Sequence, residues 1–349
     1  MPHRNLSAFH FLRPLLFAGL ALACLARAPG ARAEPTPGWW SAFNDATLNL
    51  LLAEAAPPAA ATEPQQALLA LQLQADATAA YVLARVASVR LMNGRLLVDA
   101  LQRQLDLLRA AGAEDSEDAR NAQQALEAAQ ARVAQFDSLR TASIALLAQR
   151  SGGTRSVALL SRQLAPALGD ARLPVPAFDL PRELPGIVLR RRPDVAQAEA
   201  ALSQSGRDTA AGQLRLARYL QALSAPITAA ETANEPAAGT QPEDVLDSAR
   251  QDIALRLAQL DAAVNAAKKQ EATLLALQPQ YLALRERFQR GEVREVQALG
   301  ALARMLVEED RLAATGGQLA IAWIAFQASI GGAGDASTSA LLGARREAE

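Results

Sequence analysis

Imidazole and thiol do most nucleophilic and metal chemistry near neutral pH, and in these 349 residues they are confined to His3, His10 and Cys24. All three precede Ala31-Arg32-Ala33, a small-x-small run that suits a signal peptidase. Arg4 and Arg13 stand ahead of the apolar run Pro14 to Leu25, which is too short to span a bilayer comfortably as a mature helix. Residues 1–33 are therefore read as a secretory signal. Cut after Ala33, the chain has neither histidine nor cysteine, so no Ser-His-Asp or Cys-His arrangement can form and a Cys/His zinc site is excluded. Gly152-Gly153 and Gly331-Gly332 lack the Lys-Ser/Thr of a phosphate loop, and no HExxH occurs. Carboxylates and lysines remain, but no motif gathers them. The expectation is a non-enzyme with no cofactor and no metal.

Cys24 ends Leu20-Ala21-Leu22-Ala23-Cys24, an imperfect lipoprotein box with Ala21 where leucine is preferred. Lipidation at Cys24 makes a membrane-tethered protein, whereas cleavage after Ala33 makes an untethered one, and both stay open at this point.

The elements that must position any site are helical. Hydrophobic residues make up 50% of the chain but aromatics only 4%, so Ala, Leu and Val carry the apolar content, and Ala and Leu lose little side-chain entropy in helices. Lys plus Arg number 35 and Asp plus Glu 36, which leaves no positive field to favour nucleic acid. The length suits one large domain or two to three modest ones.

From about Glu63 or Gln65 to Ala111, Val82, Val86, Val89, Leu97, Leu101, Leu105 and Leu108 recur mainly at three- and four-residue steps. That spacing is one apolar helical stripe. Ala75 to Ala111 alone would reach about 55 Å at a helical rise. Gly112 ends the tract, and Ser116 is placed to cap a second helix, with Glu117 and Asp118 at its positive end. That helix carries Leu126, Val133, Phe136, Ile144 and Leu147 to Arg150, where Ser151-Gly152-Gly153 stops it. The product is a long antiparallel hairpin.

The pattern returns. Ile253, Leu257, Leu260, Val264, Leu274, Tyr281, Leu284 and Phe288 mark a helix ending at Arg290-Gly291, with a kink expected at Pro279. A further helix runs from Glu295 through Leu306 and Ile324 to Ser329 and closes at Gly331-Gly332. Gly112 to Gly152 and Gly291 to Gly331 are equally separated, as expected of a duplicated unit. The division is a first helical repeat over 34–172, a proline-restricted linker over 173–186, a second repeat over 187–332 and a flexible tail over 333–349. Within the second repeat a helix is expected from Asp194 to about Leu220, and Ala225-Pro226 with the stretch from Ala230 to Pro242 is expected to form a polar, small-residue connection without strand alternation.

Four runs resemble the TolC-like outer-membrane efflux proteins, in particular the NodT-type efflux lipoproteins. They are Trp39-Trp40-Ser41-Ala42-Phe43-Asn44-Asp45, Leu184-Pro185 through Arg190-Arg191-Arg192-Pro193-Asp194, Arg290-Gly291-Glu292-Val293-Arg294-Glu295, and the approach to Gly331-Gly332. The second, with Leu184, Pro185, Arg190, Arg191, Arg192, Pro193 and Asp194, is the most specific. The resemblance implies a homotrimer or mixed trimer whose paired repeats build a hollow helical tube capped by a β-barrel. It also implies a periplasmic adaptor and an inner-membrane pump as partners, met by the hairpin tips. Here those tips are Gly112, Asp115, Ser116 and Glu117 in the first repeat, and Gly291, Glu292, Val293, Arg294 and Glu295 in the second. Helix capping alone accounts for the same residues.

The departure lies in the barrel. Ala56 to Pro64, and Ala225 to Pro242, are too short for two membrane-spanning strands of about 9–11 residues each plus a turn. The fold class expected is all-α: two repeats of long antiparallel hairpins with little or no β-barrel. The function expected is a periplasmic component or accessory of a tripartite efflux system, in the periplasm or on the periplasmic face of the outer membrane. A structural or interaction protein without transport, and a conventional duct with a reduced barrel, are the alternatives. Among other charged runs, Glu308-Glu309-Asp310 is read as a solvated helix face, Arg190 to Arg192 as structural, and Trp39 with Trp40 as an apolar plug.

Overall fold

The computed structural model describes residues 38–55, 64–151, 156–205, 209–230, 239 and 241–332. The predicted signal, Cys24, Gly152, Gly153 and the C-terminal tail lie outside them.

A 3-10 turn over Trp39–Phe43 leads into α1 (Ala46–Ala55). Then come α2 (Pro64–Ala110), α3 (Glu117–Arg150) and α4 (Val157–Leu168), followed by extended chain. Next are β1 (Glu183–Leu184), a 3-10 turn (Gly186–Arg191), α5 (Pro193–Ser205), α6 (Ala210–Ser224) and β2 (Ile227–Thr228). The chain closes with α7 (Pro242–Gln289) and α8 (Glu295–Ser329).

The long helices stop where the sequence says they should, because their ends are local chemistry. Gly112, Gly291 and Gly331 sit at φ of 69°, 76° and 84°, a region in which L side chains are strained. Each terminates its helix with the same bond. The amide of Ala113 donates to Leu108 O, that of Glu292 to Arg287 O, and that of Gly332 to Gln327 O, at 3.0, 2.9 and 2.8 Å. This is the six-to-one closure of a Schellman motif. Two of the three closures form the hairpin tips. At the start of α3 the Ser116 hydroxyl accepts from the Ala119 amide at 3.1 Å.

Among the four long helices, α2 packs on α3 and α8, and α7 packs on α8, so the order across the layer is α3–α2–α8–α7. The two hairpins therefore meet along α2 and α8. Arg90 reaches Asp310 with two bonds of 2.8 and 3.0 Å, and a Cβ on Gly317 would lie 3.0 Å from Val86, so the absent side chain lets the backbones close.

At the end away from the tips the layer thickens into a core. Trp323 of α8 meets Trp39, Phe43 and Phe178 at ring-centroid distances of 5.7, 5.3 and 6.3 Å. Trp39, Tyr81, Tyr219 and Trp323 are almost wholly buried there, with leucines from α1, α4, α5, α6, α7 and α8 around them. Each fully buried large apolar side chain of this kind contributes about 1.5–3 kcal/mol. Asp45 pins the start of α1 to this core. Its carboxylate accepts from the amides of Thr47 and Leu48, from Tyr81 Oη at 2.7 Å and from Arg85 Nη1 at 2.9 Å. Arg85 donates its other nitrogen to Arg172 O at 2.7 Å, tying down the chain that follows α4.

Two expectations are corrected. The helix from Asp194 to about Leu220 is two helices, because Thr209 caps a new start by accepting from the Gly212 amide at 3.1 Å. The connection after Ala225 contains β2, which pairs antiparallel with β1 so that Glu183 faces Thr228 and Leu184 faces Ile227. Arg250 holds that turn, donating to the carbonyls of Ala222, Ala225 and Pro226. Helix α4 was not foreseen; Ser156 caps it, and Leu160 and Leu164 seat it in the core. Helix α7 is one continuous element across Pro279. Among the described residues no barrel closes, and β1 and β2 are far below spanning length. One helix, over Gln66–Ala110, has the length and composition to cross a membrane, and it packs against α3 and α8 along the layer.

Candidate functional site

The residues singled out in the sequence fall into two places. The tip residues come together at one end of the four-helix layer. Along the seam, successive contacts run from Val86 with Gly317, through Arg90 with Asp310, to Gln104 with Gly300 and Arg103 with Glu295. Each step toward the tip along α2 matches a step back along α8. The loops at Gly112 and Gly291 therefore emerge at one level.

The first loop owes its shape to backbone chemistry. A Cβ on Gly112 would touch nothing within 4 Å, so glycine serves conformation there and not close packing. Asp115 turns its carbonyl to Arg120 Nη1 at 3.0 Å, leaving its carboxylate exposed beside exposed Glu117. The second loop carries more internal pairing. Arg290 donates to Glu292 at 2.6 Å, and Arg287 lies 3.4 Å from the same carboxylate. The hydrogen bond from Arg290 holds the Glu292 carboxyl below its ordinary range. Gly291 is again free of contacts, Val293 is half-buried, and the Arg294 amide donates to Gln297 Oε1 at 3.2 Å. Glu295 joins the two hairpins, accepting from Arg103 Nε and Nη2 at 2.9 and 3.1 Å. Hydrogen bonding to Glu295 raises the Arg103 guanidinium above its ordinary value.

The Leu184-to-Asp194 run lies in the thick end and holds the fold. Leu184 is buried in the β1–β2 pair, and Pro185 precedes the 3-10 turn. Arg190 grips Glu199 with two bonds of 3.1 and 2.9 Å. Arg192 reaches Asp194, Asp252 of α7 and Ser329 O at the end of α8, all within 3.2 Å. Burial pushes the Asp194 carboxyl up, but Arg192 and the Val195 amide outweigh it and hold it below its ordinary range. The main chain at Arg191 lies so close to Gly331 that a Cβ there would be 2.8 Å from Arg191 O.

The acidic triplet divides three ways, which consecutive helical positions about 100° apart make natural. Asp310 pairs with Arg90, and Glu308 pairs with Arg311 and accepts from Gln270. Glu309 turns toward the α7 side, and burial alone raises its carboxyl. The reading of the triplet as a solvated face is thus corrected: two members are spent on partners and all three are half-buried. The sequence also gave no notice of the Asp45–Tyr81–Arg85 cluster, although Asp45 ahead of the α1 pattern is a cap signal. Among the described residues no group of three or more His, Cys, Asp or Glu side chains could hold a metal ion.

No protein-family model and no curated protein matches the chain. Solved structures do. One is CusC, known from work on folding and transmembrane channel formation, at 16% identity and a TM-score of 0.58, covering 78% of this chain and 81% of that one. The outer-membrane channel OprN aligns at 18% identity and a TM-score of 0.52, over 87% of this chain and 94% of its own. The Campylobacter jejuni CmeC outer membrane channel aligns at 13% and 0.51, over 89% and 72%. At these identities the likeness is one of fold: long helices arranged as in TolC-type channels, with the barrel largely absent.

Proposed function

We propose that this chain is a periplasmic component or accessory of a tripartite efflux system, acting through docking of its hairpin tips. One observation carries the reading. Two repeat-related tips stand level at one end of an open four-helix layer whose outer helices, α3 and α7, each pack on a single long neighbour within the chain. Such a layer is a segment of a tube. Leu139 and Leu146 on α3, and Leu255, Leu275 and Leu282 on α7, are exposed at levels that a sister copy would cover. A homotrimer, or a mixed trimer with a barrel-bearing relative, would join these edges.

In this reading the partners are a periplasmic adaptor and an inner-membrane pump, and the place is the periplasm or the periplasmic face of the outer membrane. Gly112, Asp115, Ser116 and Glu117, with Gly291, Glu292, Val293, Arg294 and Glu295, form the docking end. The exposed carboxylates of Asp115 and Glu117 suit a basic adaptor surface. The mechanism is conformational, with opening at the tips and no covalent step.

A photo-crosslinker at Glu292 tests the docking, together with tolerance of exported compounds after deletion. Crosslinks to an adaptor and lost tolerance are expected. Neither effect, in a chain that still folds, overturns the reading in favour of a structural or interaction protein. The mass of the signal-free chain without detergent separates the assemblies. A soluble trimer supports the tube, whereas detergent dependence with heat-modifiable migration favours a duct with a reduced barrel.

A further inference from the structure

About three to four helical turns below the tips, roughly 15–20 Å along α2, one face of the layer sinks into a trough. Its floor is Leu97 and Leu101 of α2 with Ala303 and Val307 of α8. One wall is α3, through Ala125, Ala128 and Ala129, and the opposite wall is α7, through Leu277. The trough exists because the α3 wall is alanine. Small side chains there and at Ala303 leave a cavity of about 520 Å³, inside the range of about 300–1,000 Å³ usual for small-molecule sites.

Its charged members are Arg132, Arg304 and Glu308. Glu308 is already engaged by Arg311 and Gln270. The two arginines are not: among the described residues neither Arg132 nor Arg304 has a carboxylate partner or any other hydrogen-bonded partner. The contrast with the adjacent seam is sharp, since Arg90 and Arg103 each take a carboxylate in two-bond geometry. A seam that pairs its arginines so fully on either side leaves two guanidinium groups unpaired on an apolar trough. Both arginines are exposed at the rim of the trough, so an incoming anion reaches them without displacing a partner.

The geometry points to a binding site for an amphipathic anion: an apolar body lying along Leu97, Leu101 and Leu277, with one carboxylate, sulfonate or phosphate head between Arg132 and Arg304. Guanidinium forks match such oxyanions bidentately. The site is built from one copy of the chain, so it stands apart from tube assembly and from tip docking.

The test is a fluorescence titration of the whole signal-free chain with dansyl-aminoundecanoate and with its uncharged methyl ester. The acid is expected to bind once per chain, and the ester about tenfold or more weaker. The double variant Arg132→Gln/Arg304→Gln should weaken the acid by a similar factor and leave the ester unchanged. Ala128→Phe, at an exposed wall position, should abolish binding of both by filling the trough. Arg162→Gln/Arg218→Gln removes the same charge from exposed positions elsewhere and should change nothing. Equal binding of acid and ester, equal binding by the trough double variant, or equal weakening by the remote one overturns the proposal. Phosphatidic acid and dodecyl sulfate as competitors then tell a lipid-like phosphate from a simple alkyl anion. All five substitutions lie on the surface, and unchanged helical circular dichroism confirms that the variants fold.

Discussion

The two ends of the molecule are built on different principles. At the thick end, aromatic rings from two other chain segments, the Trp39–Phe43 turn and the extended chain at Phe178, converge on Trp323, and residues from all eight helices join the core. At the tip end, α7 beyond Leu260 buries only Tyr281, and α3 buries a single stripe. Leu275 stays 57% exposed. The thick end completes its own core, whereas the layer completes only the seam between its hairpins. A fold of this kind is anchored at one end and leaves the other end available to partners.

The largest effect that tests the contrast is Trp323→Ala. Truncating a large buried aromatic costs about 3–5 kcal/mol, and here it removes the piece that several segments share. Urea unfolding should move by that amount, and hydrogen exchange should quicken in the tips as well as in the core. Faster exchange confined to α1 and its surroundings would break the idea that the thick end anchors the layer.

Glycines sharpen the comparison because three of them share a backbone conformation in different surroundings. Gly331→Ala at the thick end meets Arg191 O at 2.8 Å as well as the unfavourable φ, so its cost should exceed the conformational one. Gly112→Ala and Gly291→Ala meet nothing, so each should cost only the left-handed penalty of about 1–2 kcal/mol. Thermal melts of the three variants give the order. Equal losses at all three would mean that the thick end yields as easily as the tips.

These positions also show what the sequence could reveal. Glycine stops, the Ser116 cap and the apolar stripes are chemistry within a few residues of chain, so the ends of the long helices were legible to within a residue or two. Helix α4 falls in a stretch of the first repeat to which no element was assigned, although Ser156 with Leu160 and Leu164 carries the signal. The break before Thr209 was hidden by alanines that suit a helix on both sides. Nothing periodic tells a helix which neighbour it takes, so the order α3–α2–α8–α7, the Arg85 cluster and the Arg132–Arg304 trough became visible only when distant segments met. The tip residues were legible as turns; their common level was not.

Glu309 supplies a pH test inside the thin layer. Burial raises its carboxyl, and its charge acts on Tyr281 of α7. The folded chain therefore holds a proton that the unfolded chain has released. Stability is complete below the ordinary glutamate value of 4.5 and declines as pH rises through the folded-state value. Glu309→Gln should remove that decline and stabilise the chain at neutral pH, read as urea midpoints across pH. A wild-type midpoint that rises through the same window, with the variant following it, would show that water reaches this part of α8 freely.

The smallest effect belongs to Arg103→Gln at the tip end of the seam. Arg103 is 55% exposed and Glu295 24%, so solvent screens the pair despite its two-bond geometry. Exposed pairs contribute about 0.2–1 kcal/mol, and high salt should erase most of that difference. Arg90→Gln is the internal standard. Its pair with Asp310 is more enclosed, at 24% and 16%, and loss of the arginine leaves a half-buried carboxylate uncompensated. The Arg90 variant should therefore lose more stability, and salt should restore less of it. If both variants lost the same amount with the same salt dependence, burial along the seam would not deepen away from the tips, and the contrast between the two ends would begin only at the aromatic core.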